Sequence, residues 1–121
     1  MTEASRESTR RLPLWFLELA AKYRIRVGRI VAYHAKAGYH KDFLVASIRD
    51  ILIEIDPQAP ELRQVLLAEQ GFTTLRFSRE LSGRLQELYD QAEGFVAELE
   101  AQKFIAIGGS GFLELGPAWP A

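Results

Sequence analysis

The sequence predicts a mainly α-helical domain of four to five helices that ends in a β-hairpin. Three observations predict it. Apolar residues recur at helical spacing over four long stretches. Glycine and proline fall between those stretches, where helices end. Two short apolar runs near the C-terminus, Phe104 to Ile107 and Phe112 to Leu115, flank the glycine-rich link Gly108–Gly111, which is a hairpin pattern.

Residues 1–11, MTEASRESTRR, are polar throughout and read as a flexible tail, which leaves 12–121 as one domain. Pro13 suits a first helical turn, where its missing N–H costs nothing. From Phe16 the apolar positions Leu19, Ala20, Tyr23, Val27, Ile30, Val31, His34 and Ala37 share one face, so a single helix is expected up to Gly38. Gly28 is its weak point, at a cost of about 1 kcal/mol. A competing pattern exists over Tyr23 to Val27, where YRIRV alternates as a strand would. Asp42 is the candidate N-cap of the next helix, with Leu44, Ile48, Ile51, Leu52 and Ile55 facing inward. DPQAP (Asp56 to Pro60) ends that helix, and Pro60 starts another with Leu62, Val65 and Leu66 inward and Gly71 at its end.

FTTLRF, from Phe72 to Phe77, is a connector or a short strand. Ser78 is a candidate N-cap. Leu81, Leu85, Leu88, Ala92, Phe95 and Leu99 then advance in alternating steps of four and three, the rhythm of a helix packed along its length. That stripe suits either the first helix or a second copy of the chain, so Leu81, Leu85, Leu88, Phe95 and Leu99 are candidate partner-interface residues of a homodimer. Ser78 to Lys103 is open to two readings, one helix or a helix-turn-helix, with the constant phase favouring one. The hairpin covers about 104–115, and Trp119 in the tail GPAWPA is placed to pack back.

With 48% hydrophobic and 26% charged residues, the 121-residue chain is an ordinary globular composition. It has no cysteine, so disulfides, thiolate chemistry and cysteine-ligated metals are excluded. The best apolar run is half the length a membrane-spanning helix needs, roughly 20 residues, so no integral membrane association is expected and the expected location is cytoplasmic. No catalytic residue, metal site or cofactor is expected, and the chain reads as a non-enzyme. GGSG lacks the lysine of a phosphate-binding loop and is not followed by a helix. His34 and His40 are six residues apart, which is wrong for two ligands on one helical face. His34 lies on the apolar face and reads as a core histidine, His40 as a solvated residue near a helix boundary. The carboxylates of the long helix read as a solvated face.

The charge is uneven. Net charge is −1, yet up to Lys41 there are nine cations against Glu3, Glu7 and Glu18, and beyond it six against thirteen carboxylates. The segment Lys22 to Lys36, KYRIRVGRIVAYHAK, holds five cations and no carboxylate. On a helical wheel Lys22, Arg26, Arg29, Tyr33 and Lys36 form one stripe, the candidate nucleic-acid or anion-binding residues. Such a stripe suits phosphate contacts, which are sequence-independent and salt-dependent. It also suits an anionic membrane surface, or an acidic protein surface, the chain's own long helix included. The expected function is a small nucleic-acid-associated or regulatory protein. The alternative is a protein-interaction module (adaptor, inhibitor or assembly subunit) that pairs through the long helix.

From Pro60 to Pro117 the order of elements, ending FVAELEAQKFIAIGGSGFLELGP, resembles a winged-helix domain, in which the last helix runs into a two-stranded wing. In that resemblance the last helix carries Asp90, Glu93, Glu98 and Glu100 against Lys103 alone. It therefore implies a helix that meets protein rather than DNA.

Overall fold

The computed structural model describes residues 12–72 and 78–120. The chain order is α1 (Leu14–Leu17), α2 (Ala21–Ala37), α3 (Lys41–Glu54), α4 (Ala59–Glu69), α5 (Arg79–Ala101), β1 (Ile105–Ile107) and β2 (Leu113–Leu115). This is the mainly helical fold with a C-terminal hairpin that the periodicity predicts. The expectations for residues 1–11 and 73–77 lie outside the described residues.

The first helix is not continuous. The chain leaves the helical basin at Ala20 (φ −58°, ψ 148°) and starts α2 afresh at Ala21. Gly28, the expected weak point, sits inside α2, and so does the Tyr23–Val27 segment with its strand-like alternation. The break lies where the packing requires it. Trp15 and Phe16 in α1 turn onto Phe95 of α5, with ring centroids 5.2 and 4.9 Å away. Arg24 Nη1 donates to the Leu17 carbonyl at 2.9 Å, which satisfies an acceptor left over at the end of α1.

Gly38 ends α2 in the left-handed region (φ 70°), with its N–H donating to the Ala35 carbonyl. The next helix is capped by His40, not Asp42. His40 Nδ1 accepts the Asp42 N–H at 3.2 Å, and Asp42 sits instead in the first turn, where its charge suits the helix dipole. Leu44, Ile48, Ile51 and Leu52 are buried as expected, joined by Val45 and Ile53, while Ile55 is half-buried at the helix end.

α5 is one uninterrupted helix of 23 residues, capped by Ser78, whose hydroxyl accepts the Leu81 N–H. Leu85, Leu88, Ala92, Phe95 and Leu99 are buried, with Leu81 half-buried at the edge. This stripe packs chiefly against α3 and α4 rather than against α2. Leu85, Leu88, Ala92, Phe95 and Leu99 are thus taken up by the chain's own core.

The hairpin pairs Ile105 with Leu115, Ala106 with Glu114 and Ile107 with Leu113, antiparallel. Within its glycine-rich link, Gly111 alone has positive φ (89°). The other edge of β2 is also used. Leu113 N–H donates to the Tyr39 carbonyl at 2.9 Å, and Lys41 N–H donates to Gly111 O at 2.8 Å. His40 and Phe112 thus form an antiparallel bridge, and the α2–α3 turn becomes a third short rung beside the hairpin. Trp119 packs back as expected, half-buried against the core.

A half-buried ion pair ties the α3–α4 turn to the N-terminal part of α5. Asp56, in the α3–α4 turn, accepts from the Gln58 N–H at 2.9 Å and from Arg84 Nε and Nη2 at 3.0 and 2.8 Å. The guanidinium of Arg84 in α5 also holds Glu87 at 2.9 Å. These carboxylates, Asp56 first, raise the pKa of Arg84 above its already high ordinary value.

Candidate functional site

The basic stripe exists as a face. Lys22, Arg26, Arg29, Tyr33 and Lys36 are all exposed on the side of α2 away from Val27, Val31 and Ala35, which are buried. Not all of its charge is free. Arg26 Nη1 donates to Glu54 Oε2 at 2.8 Å. The ammonium of Lys22 lies 5.0 Å from the Tyr23 ring centroid. Among the described residues no carboxylate is within ion-pair distance of Arg29 or Lys36. The partner of Arg26 belongs to α3, so the acidic face of α5 is not what the stripe meets. Three of the six α5 carboxylates hold local partners instead: Glu87 takes Arg84, Asp90 accepts from Gln86 at 2.9 Å, and Glu98 accepts from Gln102 at 2.7 Å.

The fold adds aromatic rings to this face. Tyr33 in α2, Tyr39 in the turn and Phe43 in the first turn of α3 form a continuous cluster. Centroids of Tyr33 and Tyr39 are 5.5 Å apart, and those of Tyr39 and Phe43 are 6.3 Å apart. All three remain exposed, at 59%, 39% and 65%. The two tyrosine hydroxyls are not idle: Tyr33 and Tyr39 share a hydrogen bond at 3.0 Å, which holds the Tyr39 phenol above the ordinary tyrosine pKa. Arg29 lies one turn before Tyr33 and Lys36 one turn after it, so unpaired cations flank the cluster.

The cluster is firmly mounted. Tyr39 N–H donates to the His34 carbonyl at 3.0 Å, and its own carbonyl receives the Leu113 N–H. Beneath it His34 is buried. Its Nδ1 is 2.8 Å from the Ile30 carbonyl, and since a carbonyl only accepts, Nδ1 carries the proton. In the neutral ring Nε2 then accepts from the Ser47 hydroxyl at 3.4 Å. His34 is thus a satisfied core histidine that clips α2 to α3 and offers no nitrogen to a ligand. His40 is less solvated than the sequence suggests, since it stands edge-on to Phe112 with centroids 5.4 Å apart.

Of the residues singled out in sequence, Arg29, Tyr33 and Lys36 come together around one exposed patch, with Arg26 paired beside it. Tyr39 and Phe43 are the members that sequence reasoning missed. Their signal was the Gly38 turn, which folds two aromatic residues from beyond α2 back onto Tyr33.

Among the described residues, no group of three or more histidine, aspartate or glutamate side chains is gathered as metal ligands. None of their helices is long and apolar enough to cross a membrane. No family model, curated protein or solved structure matches the chain.

Proposed function

We propose that this chain is a small, non-enzymatic, cytoplasmic nucleic-acid-associated protein that contacts phosphates through the exposed face of α2. The observation that carries this reading is the pair Arg29 and Lys36, which have no carboxylate partner and lie on either side of an exposed tyrosine. Unpaired surface cations gain from phosphates through counterion release, without having to break an existing pair first. Arg26 contributes less, because Glu54 already holds it. The alternative, an interaction module pairing through α5, has less to stand on, because Leu85, Leu88, Phe95 and Leu99 are buried in the chain's own core.

The test is fluorescence anisotropy with labelled oligonucleotides at graded salt. Binding should be measurable at about 50 mM salt and weaken steeply by about 200 mM. The double variant Arg29→Glu, Lys36→Glu should abolish it while leaving the circular dichroism spectrum unchanged. A chain that binds no nucleic acid at about 50 mM, where backbone contacts are strong, overturns the proposal.

A further inference from the structure

We infer that Tyr33, Tyr39 and Phe43 form a stacking platform for the unpaired bases of a single-stranded nucleic acid, with Arg29 and Lys36 on its phosphates. This rests on the nucleic-acid reading above and adds to it the class of strand.

Three properties of the cluster carry the inference. The first is exposure: three contiguous rings stand in water at 39% to 65%. Left bare, such a surface is unfavourable, and it matches a ligand with flat apolar faces. The second is charge. Arg29 and Lys36 flank Tyr33 and carry no ion pair. The nearby carboxylates of α3 are largely spoken for: Glu54 by Arg26 at 2.8 Å and Asp50 by Arg49 at 3.0 Å. Asp42, beside Phe43, keeps a solvated carboxylate, since His40 Nδ1 accepts its N–H and has no proton to offer it, and it is outnumbered by Arg29 and Lys36. The patch therefore favours an anion that also bears aromatic faces. The third is rigidity. Tyr33 and Phe43 stand on helices, and Tyr39 is fixed by two backbone hydrogen bonds and by the Tyr33 hydroxyl. A ligand then loses little to ordering the surface it meets.

The choice of strand follows from what a ring can touch. In a duplex each base face is covered by its neighbour, and only base edges reach a protein. Unpaired bases have free faces, and exposed aromatic side chains beside a cationic track are what such strands bind. Base stacking is also tolerant of sequence, in keeping with a patch whose tyrosine hydroxyls are engaged with each other.

The experiment compares a fluorescein-labelled oligothymidylate of about 20 nucleotides with a duplex of the same length, against the full chain, in the low-salt range where phosphate contacts are strong. Single strand should bind at least several-fold more tightly than duplex. Phe43→Ala and Tyr33→Ala should each weaken single-strand binding by about 5- to 100-fold with the salt slope unchanged. Phe43→Trp should retain binding, and Phe43→Leu, apolar but without a π face, should not. Phe43 is largely exposed, so these variants are expected to keep the wild-type circular dichroism spectrum and melting temperature, and both are recorded. Three results overturn the inference. If duplex and single strand bind equally while Phe43→Ala behaves as wild type and Arg29→Glu, Lys36→Glu still fails, the platform is refuted and the phosphate-binding face stands. If Phe43→Leu binds as tightly as wild type, the patch is a generic apolar contact and not a stacking platform. If neither nucleic acid binds, both proposals fall together.

Discussion

Removing Arg84 should cost more than removing Asp56, although the two residues form the same pair. The asymmetry comes from where each charge is left. The Asp56 side chain is 3% exposed and that of Arg84 is 36% exposed. In Arg84→Ala the Asp56 carboxylate stays buried and keeps only the Gln58 N–H as a donor. Stranding a buried charge in this way costs about 3–5 kcal/mol. In Asp56→Ala the guanidinium keeps Glu87 and already reaches water, so what is lost is a charge-assisted fork and one turn hydrogen bond. Those together are worth about 2–3 kcal/mol at this partly solvated site. The double variant should be less destabilised than the sum of the two, because neither charge is then left without the other. Urea denaturation followed by circular dichroism gives all three values. For a domain of this size each kcal/mol moves the melting temperature by about 4 °C, so Arg84→Ala should melt roughly 12–20 °C lower. If Asp56→Ala proves equal to or worse than Arg84→Ala, burial of the carboxylate is not what sets the cost, and the reasoning fails.

Gly111→Ala should destabilise by about 2–3 kcal/mol, since φ is 89° there and an added Cβ would meet the His40 imidazole. His40→Ser in the same chain should recover about 1 kcal/mol by removing the ring while keeping a capping oxygen, measured by the same urea titration. Lys103, at φ 64°, is a non-glycine residue in the left-handed region just after α5. Lys103→Gly should therefore gain about 0.5–1 kcal/mol and Lys103→Val lose more than that, read from thermal melts. Phe95→Ala removes the ring that Trp15 and Phe16 stack on and should cost about 3–5 kcal/mol, with a red shift of tryptophan emission as Trp15 meets water.

The helices were legible because their apolar spacing is long and regular. The steps of four and three from Leu81 to Leu99 specify one helix, and one helix is found. Gly38 and Ser78 were legible as caps because their chemistry is local. The break before Ala21 was not. Nothing in the sequence around Ala20 forbids a helix, and what ends it is the pull of Phe95 on two rings nearly eighty residues away. His40 won the cap from Asp42 for a similar reason: the rung against Phe112 fixes the backbone two residues earlier than local propensity suggests. The candidate site divides the same way. Arg29, Tyr33 and Lys36 share a helical face and can be read from a wheel. The discount on Arg26 depends on Glu54 twenty-eight residues on, and Tyr39 and Phe43 join only once the turn is made.

The rung between Tyr39–Lys41 and Gly111–Leu113 also dictates an order of events during synthesis. Seventy residues separate its two sides. While a ribosome is still making α4 and α5, the α2–α3 turn has carbonyl and N–H groups with no strand to meet. The N-terminal helical pair can form early from local contacts, but its turn is locked only after residue 113 has emerged. Tyr39 thus receives one of its holds from a segment made about seventy residues later, so a chain interrupted before Gly111 would carry the cations of α2 without the Leu113 hydrogen bond that helps keep Tyr39 beside them.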